Sequence, residues 1–179
     1  MLRGRAFKFG DNISTDHIVP GRLLNLRSNL PELAKHVLED ADPTFARRLK
    51  KGDFVVAGKN FGLGSSREHA PLVIKMSGIS AVLAKSVARI FFRNAINVGL
   101  PVLICDTENI NDGDELEVNL KLGKISDLTN GAGLNFNQMP DIMLNILNEG
   151  GLIAFLKKHK DFIVNPVGNS PEDLGRARR

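Results

Sequence analysis

The sequence predicts an α/β fold, and three observations carry that expectation. Short apolar runs at Asp53–Gly58, Ala81–Ala84 and Leu100–Cys105 have the length and β-branched content of buried strands. Helix-patterned segments separate them, which is the alternation that builds a parallel sheet. From Asp112 the pattern changes to strict alternation, Leu116, Val118, Leu120 and Leu122 against polar neighbours, as in a strand with one wet face.

Taken in order, Ala6–Phe9 is a strand broken by Gly10-Asp11-Asn12. Ile13–Gly21 sets Asp16 and His17 between apolar residues ahead of Pro20-Gly21, so a loop with a fixed backbone is expected. Pro31 opens a helix through about Asp40, with Leu30, Leu33, Val37 and Leu38 on one face. Asp42-Pro43 starts a second helix, carrying Phe45 and Leu49 and stopping at Gly52. After the strand Asp53–Gly58 comes a glycine-rich loop, Asn60–Ser66, then a helix over Arg67–Ser77 ended by Gly78. The strand Ala81–Ala84, a helix over Val87–Asn94 and the strand Leu100–Cys105 follow. Asp114–Leu122, a turn at Gly123-Lys124 and a return strand from Ile125 form a hairpin. Met139–Glu149 is a helix, Gly150-Gly151 breaks it, and Leu152–His159 is a short final helix. The expected organisation is one domain over residues 1–164 and a flexible tail over 165–179, where Pro, Gly and charge accumulate.

At 42% hydrophobic and 25% charged residues, the chain has the make-up of a soluble globular protein long enough to bury a core. Its single cysteine, Cys105, excludes an internal disulfide and suits a reducing compartment. Met1–Arg5 lacks the apolar run of a secretory leader and no stretch could span a bilayer, so a cytoplasmic location without membrane association is expected. Trp and Tyr are absent and the formal charge is only +4, so nucleic acid is not an expected partner.

The chemistry concentrates in Gly62-Leu63-Gly64-Ser65-Ser66-Arg67-Glu68-His69-Ala70. A glycine loop that opens a helix presents unpaired N–H groups and a partial positive charge, and Arg67 adds a planar fork suited to carboxylate or phosphate. No Lys follows Gly64, as a P-loop would need, and Arg67 stands where a dinucleotide fingerprint has its third glycine. The Gly-x-Ser-x-Gly elbow is absent too. A serine here can be a nucleophile beside a base, or a base whose alkoxide is stabilised by Arg67 and helix N–H groups; the residue types allow both. A stand-alone anion-binding module would use the same loop.

Three blocks resemble the swivelling domain of the aconitase superfamily, in that family's order: Asp11-Asn12-Ile13-Ser14-Thr15-Asp16-His17-Ile18, the Gly62–Ala70 segment, and Lys85-Ser86-Val87-Ala88-Arg89-Ile90. The resemblance runs from about Gly4 to about His159, and the length matches free-standing small subunits of the 3-isopropylmalate dehydratase and homoaconitase kind. It implies a swivelling β/β/α domain and a hydro-lyase that isomerises a hydroxy di- or tricarboxylate by removing and re-adding water. It implies that Ser65 is the catalytic base, that Ser66 and Arg67 bind a substrate carboxylate, and that Asp16 and His17 build the site wall. The implied cofactor, a [4Fe–4S] cluster, needs three or four thiolates, and this chain has one cysteine. Cys105 is expected to be a packed thiol, no metal is expected on this chain, and a large Fe–S subunit becomes the expected partner. The resemblance also implies a substrate-specificity loop with Leu24, Leu26 and Arg27. Apolar leucines suit an isopropyl group, whereas Arg27 suits an added carboxylate. Isopropylmalate of leucine biosynthesis is the first expectation, a homoaconitate or mixed substrate the alternative, and a dialkylmalate the third. Arg89 and Arg93 lie four apart on one helix face, with site support, subunit contact and simple surface charge all open.

Overall fold

The computed structural model describes residues 1–159. The expected tail, 165–179, lies outside them. Seven strands form one sheet: β1 (Leu2–Lys8), β2 (Phe54–Ala57), β3 (Ala81–Ala84), β4 (Val102–Ile104), β5 (Glu115–Asn119), β6 (Lys124–Asp127) and β7 (Gly133–Asn135), in the order β4-β3-β2-β1-β5-β6-β7. The first four run parallel, and β1 joins them to an antiparallel half. β1 is therefore central, and it is longer than the Ala6–Phe9 expected, because Leu2–Arg5 pairs with β5 while Ala6–Lys8 pairs with β2.

The side-chain period of two divides each parallel strand between two apolar layers. Phe7, Val55, Ala57, Val82 and Ala84 face one layer, closed by α1 (Thr15–Ile18), α2 (Leu30–Ala34), α3 (Phe45–Arg48) and α4 (His69–Met76). Ala6, Phe54, Val56, Ala81 and Leu83 face the other, closed by α6 (Asp141–Asn148) and α7 (Leu152–His159). Both faces are buried, which is why β2 and β3 read as continuous apolar runs. β5 keeps only Leu116 and Val118 inside, which explains its alternation. The helix α5 (Arg89–Val98) belongs to both layers, with Phe91 and Ala95 in the first and Ile96 in the second.

Several expected elements are corrected. The loop expected over Ile13–Gly21 contains the helical turn α1, and the following segment, Gly21–Ser28, is a 3-10 helix. The helix expected through Asp40 stops at Ala34. Leu38 takes a left-handed φ of 57° and its N–H reaches back to the Ile18 carbonyl, which buries Val37 and Leu38 together. The second helix shrinks to α3, because Phe45 is gripped edge-on by Phe7 and Phe9 (centroids 5.0 and 5.4 Å) and Leu49 is already extended towards β2. The hairpin gains a third strand, β7, which has no strand pattern of its own and is held by pairing to β6.

Candidate functional site

The three blocks singled out in the sequence leave the carboxyl ends of β1, β2 and β3, the end at which parallel α/β sheets place ligands. Backbone bonds stitch them together beyond the strands. Asn12 N donates to Lys59 O, Gly62 N to Ile13 O, and Thr15 N to Leu63 O. Phe61 N donates to Ser86 O, and Ala88 N to Phe61 O. Gly62 sits at φ 74° against the Phe91 ring, so close that a Cβ would lie 2.3 Å from it. This packing sets where the Ser65 turn leaves the layer.

The result is a cavity of about 350 Å³ lined by Thr15, Ser65, Ser66, Arg67, Arg89 and Asn94, with Gly62, Gly64 and Phe91 behind them. Ser65 and Ser66 are exposed to it. Arg67 is only 16% exposed. One of its terminal nitrogens donates to Val19 O at 2.9 Å, and the other meets the Asp16 carboxylate at 2.6 Å. A guanidinium carries five N–H donors, so this orientation leaves others for a ligand. Asp16 thus acts on Arg67 from helix α1, whose cap is Ser14.

His17 makes that cap. Its backbone N–H donates to Ser14 Oγ, while its Nδ1 accepts from Ser14 N at 3.0 Å. His17 does not line the Ser65 cavity; it borders a separate polar depression with Asp11, Asp40 and Arg48. No histidine hydrogen-bonds Ser65 among the described residues, so the serine–histidine pair of a nucleophilic site is not formed. Leu24 and Leu26 are half-buried against the first apolar layer, and Arg27 is exposed. Burial first, then the Arg67 and Arg27 charges, hold the His69 imidazole below its ordinary pKa, and Glu68 opposes them. The charge of Arg27 therefore reaches the first residue of α4, just after the Ser65 turn.

Sequence reasoning did not single out Thr15 or Asn94. Thr15 is 2% exposed and its hydroxyl, facing Gly64, has no hydrogen-bond partner. Its position inside the first block was the available signal. A cluster does not fit this chain's donors. Cys105 is buried, its thiol pushed up to about 12 by burial and by Asp106, and no three His, Cys, Asp or Glu side chains converge among the described residues. No described helix is long and apolar enough to cross a membrane.

Comparison with known proteins bears out the family resemblance carried by the three blocks. Residues 36–107 match the aconitase C-terminal domain. The 3-isopropylmalate dehydratase small subunit 2 of Archaeoglobus fulgidus is 65% identical over 88% of this chain and 96% of its own length. The small subunit 1 of Thermotoga maritima is 60% identical over 90% and 98%. The isopropylmalate/citramalate isomerase small subunit of Methanocaldococcus jannaschii is 53% identical over 88% and 95%. A crystal structure of 3-isopropylmalate dehydratase from M. jannaschii superposes with a TM-score of 0.85 at 46% identity, covering 89% of this chain and 95% of that one. On that coverage and identity, the chain belongs to the family of 3-isopropylmalate dehydratase small subunits.

Proposed function

We propose that this chain is the small subunit of a hydro-lyase that converts 2-isopropylmalate to 3-isopropylmalate, active only when joined to a large subunit that carries the [4Fe–4S] cluster. The observation that carries this reading is the convergence of Ser65, Ser66 and an oriented Arg67 on one cavity at the carboxyl ends of β1–β3. A cluster held by the partner would supply Lewis-acid chemistry at the substrate hydroxyl.

This chain's part is the proton. Ser65 Oγ, as the alkoxide, takes the proton from the carbon beside a carboxylate, and the hydroxyl so formed gives it back during rehydration. The free N–H donors of Arg67 stabilise the alkoxide and draw one carboxylate towards Ser66. Asp16 keeps the guanidinium from swinging towards solvent. The test is turnover of the chain mixed with its anaerobically reconstituted large subunit. Ser65→Ala is expected to lower kcat by about a hundredfold or more while leaving assembly and substrate binding intact, the range of a lost acid–base group. Near-normal kcat would remove Ser65 from the role of base.

Arg27, an exposed guanidinium whose charge reaches His69 as that of Arg67 does, carries a second reading, a homoaconitate-type or mixed substrate. Offering 2-isopropylmalate and homoaconitate to wild type and Arg27→Val decides between them. Selective loss of homoaconitate turnover makes Arg27 a carboxylate receptor. Unchanged isopropylmalate turnover without homoaconitate activity leaves Arg27 a surface residue and the first reading in place.

A further inference from the structure

The cavity holds two arginines, and they are not equivalent. Arg67 is committed: its charge is matched by Asp16 at 2.6 Å and one nitrogen is spent on Val19 O. Arg89, which lines the same cavity, is exposed and forms no ion pair among the described residues. It is also the first residue of α5, a ten-residue helix. Its cap, Ala88, offers no side-chain oxygen to the first N–H groups, and no acidic residue stands in the first turn. The helix end therefore presents unpaired donors and partial positive charge beside a free guanidinium. Thr15 supplies a second, independent observation: it lines the same cavity, and its buried hydroxyl has no hydrogen-bond partner, an unfavourable state for such a group.

We infer that Arg89 and the N-terminus of α5 form a second carboxylate receptor in this cavity, separate from the Ser66–Arg67 receptor and serving a dicarboxylate ligand. Resting on the proposed hydro-lyase function, this assigns one substrate carboxylate to each receptor. The first receptor lies in the turn that precedes α4 and the second at the start of α5, and Gly62 at the head of that turn packs on Phe91 of α5. Phe91 and the half-exposed Ile90 add apolar lining to the same cavity, which suits a four-carbon diacid backbone carrying an alkyl branch.

The test uses the assembled enzyme with Arg89→Gln and Arg89→Lys, and Arg93→Gln as a control one helical turn away. Steady-state turnover of 2-isopropylmalate is measured together with competitive inhibition by isopropylsuccinate, a diacid, and 4-methylpentanoate, its monoacid counterpart. Arg89→Gln is expected to raise KM about 10- to 100-fold, the range of one lost charge-assisted bond, with a smaller change in kcat. The diacid should lose its advantage over the monoacid by a similar factor. Arg89→Lys should restore part of it, and Arg93→Gln should match wild type. An unchanged inhibition ratio in Arg89→Gln overturns the assignment. So does a rise in the large-subunit concentration needed for half-maximal activity with KM unchanged, which would make Arg89 a docking contact. If wild type turns over no hydroxy diacid yet isopropylsuccinate protects the assembled enzyme from heat in an Arg89-dependent way, the receptor stands and the proposed reaction fails.

Discussion

His69 is the residue at which local chemistry and the site meet most tightly. It opens α4 directly behind the Ser65 turn, and its Nε2 is buried without a hydrogen-bond partner. Burial first, then the Arg67 and Arg27 charges, hold its pKa below the ordinary 6.5, while Glu68 pulls the other way. A histidine whose folded pKa is depressed binds fewer protons in the native state than in the unfolded chain. Stability is therefore complete above the unfolded pKa near 6.5 and falls as the pH drops towards the lower folded value. His69→Gln removes this contribution. Thermal melts of the chain between pH 7.5 and 5 should show a smaller loss of Tm in the variant than in wild type. Parallel curves would mean that His69 titrates alike in both states. The sequence showed that His69 belongs to the loop block, but its burial and the approach of Arg27 depend on contacts far apart in the chain.

At the scale of elements, the glycine loop is defined by what it packs against as much as by its own flexibility. Gly62 and Gly131 have similar backbone angles, φ 74° and 79°, but a Cβ on Gly62 would strike Phe91, whereas one on Gly131 would meet nothing within 4 Å. Gly131→Ala should cost about 1–2 kcal/mol, the left-handed backbone term alone. Gly62→Ala should add about 1–3 kcal/mol of overpacking, because Phe91 is held edge-on by Phe61. Urea denaturation of both variants measures the difference, and equal midpoints would deny the Gly62–Phe91 contact its role. This contrast also marks the limit of what the sequence shows. Ala81–Ala84 is a strand over the residues expected, because burial on both faces writes a continuous apolar run. The Pro31–Asp40 helix has a sound apolar stripe, yet it breaks after Ala34 because Leu38 is buried through a bond to Ile18, a partner from another element. The candidate site was legible as three blocks of residues. That Arg89 and Ser65 line one cavity depends on α4–α5 packing, which no local pattern encodes.

Across the whole molecule, α5 is the element on which both apolar layers close, and its two ends do different work. The amino end presents Arg89 to the cavity. The carboxyl end is tied down by Lys75, whose Nζ donates to Val98 O at 2.7 Å and to Gly150 O at 2.8 Å. One ammonium thus joins α4, the end of α5 and the turn between α6 and α7, and its burial lowers the Lys75 pKa. Gly99 and Gly151 permit the close approach, since a Cβ on either would lie within 3.0 Å of the other segment's backbone. Lys75→Met keeps most of the stem and removes the donor, leaving two carbonyls to solvent or to nothing. Hydrogen bonds to a charged group are worth about 1.5–3 kcal/mol each, and partial exposure reduces that, so a net loss of about 1–3 kcal/mol is expected. At about 2–4 °C per kcal/mol for a chain of this size, Tm should fall by roughly 2–12 °C. The clamp lies at the end of α5 remote from the cavity, so the folded variant, mixed with the large subunit at a temperature well below its Tm, should keep the KM and kcat of wild type. A Tm loss with unchanged kinetics separates the scaffold from the site. A raised KM at unchanged Tm would show instead that the position of α5, and with it Arg89, is set from its carboxyl end.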